Sequence, residues 1–145
     1  MTYSFNKYNS TGNDFVIIDN RHSSFELGQE FIQKICNRNF GIGADGLILL
    51  EKSLVSDYFV NYYNSDGLPS SFCGNGSLCT THFANSLGII DSSGAFETRE
   101  GVFKCNIDKF NVSVSLTDVN EFKVDSDKII VNTGSPHYVI FCDKL

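Results

Sequence analysis

Apolar and polar positions change period several times along the chain, and each change predicts an element. Phe31, Ile32, Ile35, Cys36 and Phe40 recur at helical spacing, which predicts a helix over 28–40 ended by Gly41. Leu78, Cys79, Phe83, Ala84 and Leu87 repeat the pattern, predicting a helix over 74–87 with Gly88 at its C-terminal cap position. Elsewhere the period is two, or the apolar run is short and continuous. Residues 4–8 and 16–19 predict two strands around the turn cluster 9–14, and 47–50 predict a buried strand. The aromatic and β-branched run 58–64 predicts a strand ending in the turn signal Asn64-Ser65-Asp66-Gly67. Residues 96–98 and 102–107 flank a turn at Arg99-Glu100-Gly101. Residues 111–116 alternate, with Val112, Val114 and Leu116 inward. The polar stretch 117–128 reads as a linker or crossing segment. Strands at 129–133 and 138–141 surround Gly134-Ser135-Pro136-His137. The expected fold is α+β: seven or eight short, mostly antiparallel strands around one or two helices.

Composition narrows the class. With 145 residues the chain is long enough for one domain with a core. The net charge is −6, from 17 acidic against 11 scattered basic residues. No Lys/Arg stripe is present, which argues against a nucleic-acid partner. The first residues lack the blocks of a signal peptide, and no apolar run is long enough to span a bilayer. A cytoplasmic protein without a membrane partner is expected. Five cysteines, Cys36, Cys73, Cys79, Cys105 and Cys142, are odd in number and form no Cys-x-x-Cys pair. That pattern argues against a disulfide framework and a zinc site, so no metal is expected.

One cysteine stands apart. Cys73 precedes Gly74-Asn75-Gly76 at the mouth of the second helix. Unpaired N–H groups and the positive end of the helix dipole favour thiolate over thiol there. The same N–H groups can hold a carboxylate, so sulfur and cradle together point to amino-acid chemistry. Taken alone, a Cys-Gly pair more often marks a buried packing cysteine. Cys36, on the first helix stripe, and Cys105, in a strand, read as packing residues. Asn64 and Cys73 bracket a short crossing loop and are expected to face one pocket. Gly41-Ile42-Gly43-Ala44-Asp45-Gly46 follows a helix and opens a strand, the reverse of a dinucleotide-binding loop. It reads as a shaped connection.

With these stretches in order, the chain resembles the diaminopimelate epimerase family over essentially its whole length. The resemblance rests on five motifs: Lys7-Tyr8 with Thr11-Gly12-Asn13-Asp14-Phe15, Gly41 to Gly46, Asn64-Ser65-Asp66-Gly67, Cys73-Gly74-Asn75-Gly76 and Gly134-Ser135-Pro136-His137. The family implies an isomerase of lysine and cell-wall synthesis. It interconverts LL- and meso-diaminopimelate with two cysteines and no pyridoxal phosphate, metal or other cofactor. By resemblance Cys73 is the first catalytic cysteine. Asn13 and Asn64 match substrate-binding positions, and Gly74 and Asn75 would supply N–H groups to the substrate carboxylate. His137 matches a position that tunes the cysteine pKa values; read without the resemblance, it is equally a loop histidine bonding backbone. Ser135 stands where the family more often has a substrate-contacting Asn, and Leu78 where it commonly has Arg.

Family members run to about two domains of this size, as pseudo-symmetric halves. Nothing here matches the second half's Cys-Gly-Thr/Ser-Gly motif. The expectation is therefore a truncated enzyme, with an N-terminal epimerase-type domain over 1–120. Residues 121–145 would form the crossing segment and first strands of a second domain. The implied partner is a small amino-acid substrate, with a homodimer for the full-length form. Two other readings stand beside it. A proline or hydroxyproline racemase shares the fold and the paired cysteines, but resembles Cys-Gly-His-Gly more than Cys-Gly-Asn-Gly. The other is a noncatalytic amino-acid-binding domain on the same scaffold.

Overall fold

The computed structural model describes residues 4–22 and 27–144. Its contacts divide the chain into two compact units, Met1–Ser115 and Leu116–Leu145.

The first unit is a seven-stranded sheet whose spatial order is its chain order. The strands are β1 (Asn6–Ser10), β2 (Asn13–Asp19), β3 (Gly46–Glu51), β4 (Tyr58–Asn64), β5 (Ser93–Thr98), β6 (Gly101–Asp108) and β7 (Asn111–Val114). Two neighbouring pairs, β2–β3 and β4–β5, are parallel, and the other four are antiparallel. A parallel pair needs a crossover, and the two helices supply one each. Helix α1 (Gln29–Cys36) links β2 to β3, and α2 (Gly74–Ser86) links β4 to β5.

These crossovers explain the continuous apolar runs. Phe15 and Ile17 of β2 and Ile48 and Leu50 of β3 join the core that includes Cys79, Phe83 and Ala84 of α2. Val16, Ile18, Leu47 and Leu49, on the opposite face, pack with Ile32 and Cys36 of α1. Strands buried on both faces lose their alternation. Each fully buried Leu, Ile or Phe contributes about 1.5–3 kcal/mol. β6 has one solvent face, and there only Phe103, Cys105 and Ile107 are buried.

The sheet curls around α2, whose residues are buried well beyond one apolar stripe. Ser77, Thr80 and Thr81 are buried with Cys79, Phe83 and Ala84, whereas Leu87 is exposed. The hydroxyls are satisfied within the helix: Ser77 Oγ donates to the Cys73 carbonyl (2.9 Å) and Thr81 Oγ1 to that of Ser77 (2.8 Å).

Several expectations need correction. The helix predicted over 28–40 stops at Cys36, because Asn37 Oδ1 accepts from the N–H groups of Asn39 and Phe40 (both 2.9 Å) and turns the chain. Phe40 is consequently 93% exposed. A Cβ on Gly41 would lie 1.9 Å from the Lys34 carbonyl, so only glycine fits this reversal. Leu116 lies beyond β7 and is exposed rather than inward.

The second unit is an antiparallel sheet of β8 (Phe122–Asp125), β9 (Lys128–Asn132) and β10 (Pro136–Ile140), in the order β10-β9-β8. The stretch read as a linker thus contains β8, which brings the described strands to ten. Six of the eight strand pairs are antiparallel, as expected. Register puts Phe122, Val131 and His137 in one row and Val124, Ile129 and Val139 in the next. None of the described residues of this unit is buried.

Candidate active site

The N-terminus of α2 is held by residues on both sides of Cys73. Phe72 is buried with its ring stacked on Phe103, centroids 4.5 Å apart. Gly76 lies against β3, where a Cβ would come 3.1 Å from Ile48 Cδ1. Cys73 itself is the N-cap, with extended backbone. Its Sγ accepts from the Gly76 N–H at 3.4 Å, and its carbonyl takes the Ser77 N–H at 2.9 Å. A sulfur thus occupies the capping place usually filled by a hydroxyl or carboxylate oxygen. A Cβ on Gly74 would meet nothing within 4 Å, so the helix start is open at that residue.

The expected depression of the Cys73 pKa is overturned. Burial disfavours the charged sulfur and pushes the thiol above its ordinary value; the N–H groups of Gly76 and Asn75 pull it down, but by less. This direction favours the thiol, the form that holds or delivers a proton. Cys36 and Cys79 are buried and pushed up to about 11, chiefly by desolvation. Cys142 is exposed.

Asn13 reaches this helix start. Asn75 Nδ2 donates to Asn13 Oδ1 (3.3 Å), and Asn13 Nδ2 donates to Asp45 Oδ2 (2.8 Å). Around them lies an ion network that composition did not disclose. Arg38 bridges Asp14 and Asp45, each at 2.8 Å, and Lys7 pairs with Asp14 at 2.8 Å. Lys7 Nζ also donates to the Gly43 carbonyl. Arg38, then Lys7 and the Asp45 N–H, hold the Asp14 carboxyl far below the usual carboxylate range. Arg38 and Asp45 escaped sequence reading because their partners lie on other elements. The only signal was Asp45's place in the Gly41 to Gly46 motif.

Asn64 closes β4 opposite Gly46, at the sheet end where β2 and β3 begin, so it shares that end with Asn13 and Asp45. Tyr62, two residues earlier, is half-buried, and burial followed by the Cys73 charge pushes its hydroxyl pKa up. It was not anticipated. Tyr62, Ser71, Cys73 and Arg99 line one cavity; Asn64 does not. In the second unit, His137 Nδ1 lies 2.7 Å from the Ser135 carbonyl and 3.3 Å from Thr133 Oγ1, and its side chain is exposed. Among the described residues, no three His, Cys, Asp or Glu side chains converge with metal-binding geometry, and no helix is long and apolar enough to cross a membrane.

The fold has close counterparts. A *Bacillus anthracis* phenazine biosynthesis protein of the PhzF family matches 95% of this chain and 54% of its own, with TM-score 0.64 and 16% identity. A probable proline racemase from *Agrobacterium radiobacter* matches 96% of this chain and 52% of its own, with TM-score 0.65 and 11% identity. At such identities the likeness is one of fold alone. Sequence carries it further: the diaminopimelate epimerase family model matches residues 5–122, and the chain belongs to that family. A diaminopimelate epimerase from *Flavobacterium psychrophilum* is 45% identical over 141 residues. Those residues are 96% of this chain and 55% of the relative, so the chain spans about half the length of the curated relatives it matches.

Proposed function

We propose that this chain provides one half of a diaminopimelate epimerase active site, with Cys73 as one of two proton-transfer sulfurs. The observation that carries the reading is Cys73 capping α2 with its sulfur on the helix N–H groups, beside an Asn13–Asn75 contact and an open Gly74. An amino-acid α-proton is weakly acidic. The base that removes it must be dry and basic, and the carbanion needs fixed donors at its carboxylate. A half-buried sulfur with a raised pKa is a strong base once ionised and a ready donor while protonated. In one direction its thiolate takes the α-proton from one face and the partner sulfur's thiol returns another from the opposite face. In the other direction the roles exchange. No pyridoxal phosphate or metal is required by this chemistry.

Asn13, Asn64, Gly74 and Asn75 are assigned to substrate binding. Ser135 is assigned to a substrate contact and His137 to cysteine pKa tuning, both on the family motif. Residues 1–120 act as the epimerase-type domain and 121–145 begin a second. The location is cytoplasmic, and the full-length form is a homodimer.

A single sulfur cannot reach both faces of one bound α-carbon. The isolated 145-residue chain should therefore bind diaminopimelate weakly and show no measurable epimerisation. Mixing it with a separately made second half of a relative should produce turnover, and Cys73→Ala should abolish that turnover. Robust epimerisation by this chain alone would overturn the assignment.

A further inference from the structure

We infer that Asp45, clamped by Arg38, is a positioning residue that fixes which way round the Asn13 amide stands at the Cys73 site. The inference rests on the reading of Cys73 as a proton-transfer sulfur. Asp45 ends the 41–45 connection just before β3. Its Oδ2 accepts from Asn13 Nδ2 (2.8 Å) and the Asp14 N–H (3.1 Å), and its Oδ1 accepts from Arg38 Nη2 (2.8 Å). Arg38 is itself anchored by Asp14, with Nη2 at 2.8 Å and Nη1 at 3.1 Å. A carboxylate only accepts, and a guanidinium only donates. Asn13 must therefore turn its Nδ2 to Asp45 and its Oδ1 away, and that oxygen takes Nδ2 of Asn75 (3.3 Å). The N–H groups of Asn75 and Gly76 are the ones that act on Cys73.

A directed line thus runs from Arg38 through Asp45, Asn13 and Asn75 to the first turn of α2. It joins three segments distant in sequence. Its effect is one of polarity: an acceptor oxygen of Asn13 is presented beside the donors of the helix start before any substrate arrives. An acceptor suits an ammonium and the donors suit a carboxylate, the two groups an α-amino acid carries on one carbon. The work of the Gly41 to Gly46 motif then extends beyond connecting α1 to β3.

The polarity can be inverted. In Asp45→Asn the charged Arg38 keeps the amide oxygen, so Nδ2 faces Asn13 and reverses that amide, at the loss of the bond from the Asp14 N–H. Asn13 Nδ2 then faces Asn75, whose Nδ2 loses its acceptor, either because the contact opens or because the Asn75 amide turns to offer Oδ1 instead. In the 15N-labelled chain carrying Cys142→Ser, the Asn75 side-chain amide protons should exchange about tenfold faster, the equivalent of one ordinary hydrogen bond. The pH dependence of Cys73 alkylation should shift upward with it. The Asn61 amide, bonded to Glu51 (3.2 Å) and Tyr63 (3.0 Å), serves as the control and should not change. Adding Asn13→Asp to Asp45→Asn restores an acceptor facing Asn75 and should return both readouts toward wild type. A purely structural role predicts no such rescue and would move Asn61 as well. Should Asp45→Asn not fold, Arg38→Met loosens the same clamp and should shift both readouts in the same direction by less. A folded Asp45→Asn or Arg38→Met chain with Asn75 and Cys73 unchanged would overturn the inference. Failure of the functional reading looks different: turnover of the mixed halves that survives Cys73→Ala leaves the amide results standing.

Discussion

The turn before α2 and the turn between β9 and β10 both carry motifs of the family, yet they are built in opposite ways. Cys73-Gly74-Asn75-Gly76 stands on a buried phenylalanine, leans on β3 and opens a helix enclosed by strands. Gly134-Ser135-Pro136-His137 joins two strands of a three-stranded sheet in which no described residue is buried. In that sheet His137 is held by its own turn, through Ser135 and Thr133. The first region is over-determined by packing. The second depends on backbone pairing, and small sheets without a covered face are only marginally stable. The comparison teaches that a motif and the framework that makes it chemically useful need not be equally developed within one chain.

The largest contrast should appear in hydrogen exchange. Amides of Leu47 to Leu50, buried in β3, should open only with global unfolding, whereas β8 to β10 should exchange orders of magnitude faster. Cysteine labelling should follow the same division. Exposed Cys142 reacts first, half-buried Cys73 second, and buried Cys36, Cys79 and Cys105 last. This order differs from the one that thiolate stabilisation at the helix start would give by itself. Equal protection in the two sheets would break the comparison.

Truncations sharpen it next. Phe72→Ala removes a buried ring stacked on Phe103 and should cost about 3–5 kcal/mol in urea denaturation. Phe122→Ala in β8 removes a ring that is 64% exposed and should cost under about 1 kcal/mol. Similar losses at the two sites would show that the second sheet is covered in solution.

What could be read in advance divides along the same line. β3, β4 and α2 were legible because apolar runs, aromatic enrichment and flanking glycines all agree there. The end of α1 was not, because Asn37 diverts the backbone into a turn while the apolar spacing continues to Phe40. β8 was hidden because Phe122 and Val124 alternate with Lys123 and Asp125 inside a polar stretch, and pairing with β9 rather than propensity makes it a strand. At the site, Cys73 and its helix start were legible as a local pattern. The sign of its pKa shift was not, since the desolvation comes from burial against a core most of whose members are distant in sequence. Asp45 and Arg38 acquire their roles only when β2 is brought beside β3.

The charge network yields a smaller effect with a definite pH window. Asp14 ionises well below its unfolded value, so the folded state binds the proton less readily than the unfolded chain. Its stabilising contribution is present above about pH 4 and is lost as pH falls through the acid range toward its folded pKa. Asp14→Asn should cost about 1–2 kcal/mol at pH 7 and flatten this part of the acid slope. An unchanged slope would show that the Lys7–Asp14–Arg38 cluster contributes nothing in solution.

The smallest expected change is at Leu78, half-buried and lining a surface hollow with Tyr8, His82 and Phe110. Leu78→Arg, which restores the residue common in the family, should alter stability by less than about 1 kcal/mol. A loss of several kcal/mol would make Leu78 a core residue and blur the boundary of the packed region.

The most direct test of the central claim follows the proton itself. The chain is mixed with a separately made second half in D2O, and deuterium entering the α-carbon of diaminopimelate is measured by mass spectrometry. The account predicts deuterium in the inverted product with Cys73 present and no inverted product with a folded Cys73→Ala chain, since the one remaining sulfur can exchange the α-proton only on its own face. Undiminished deuterated inverted product with that variant would contradict it.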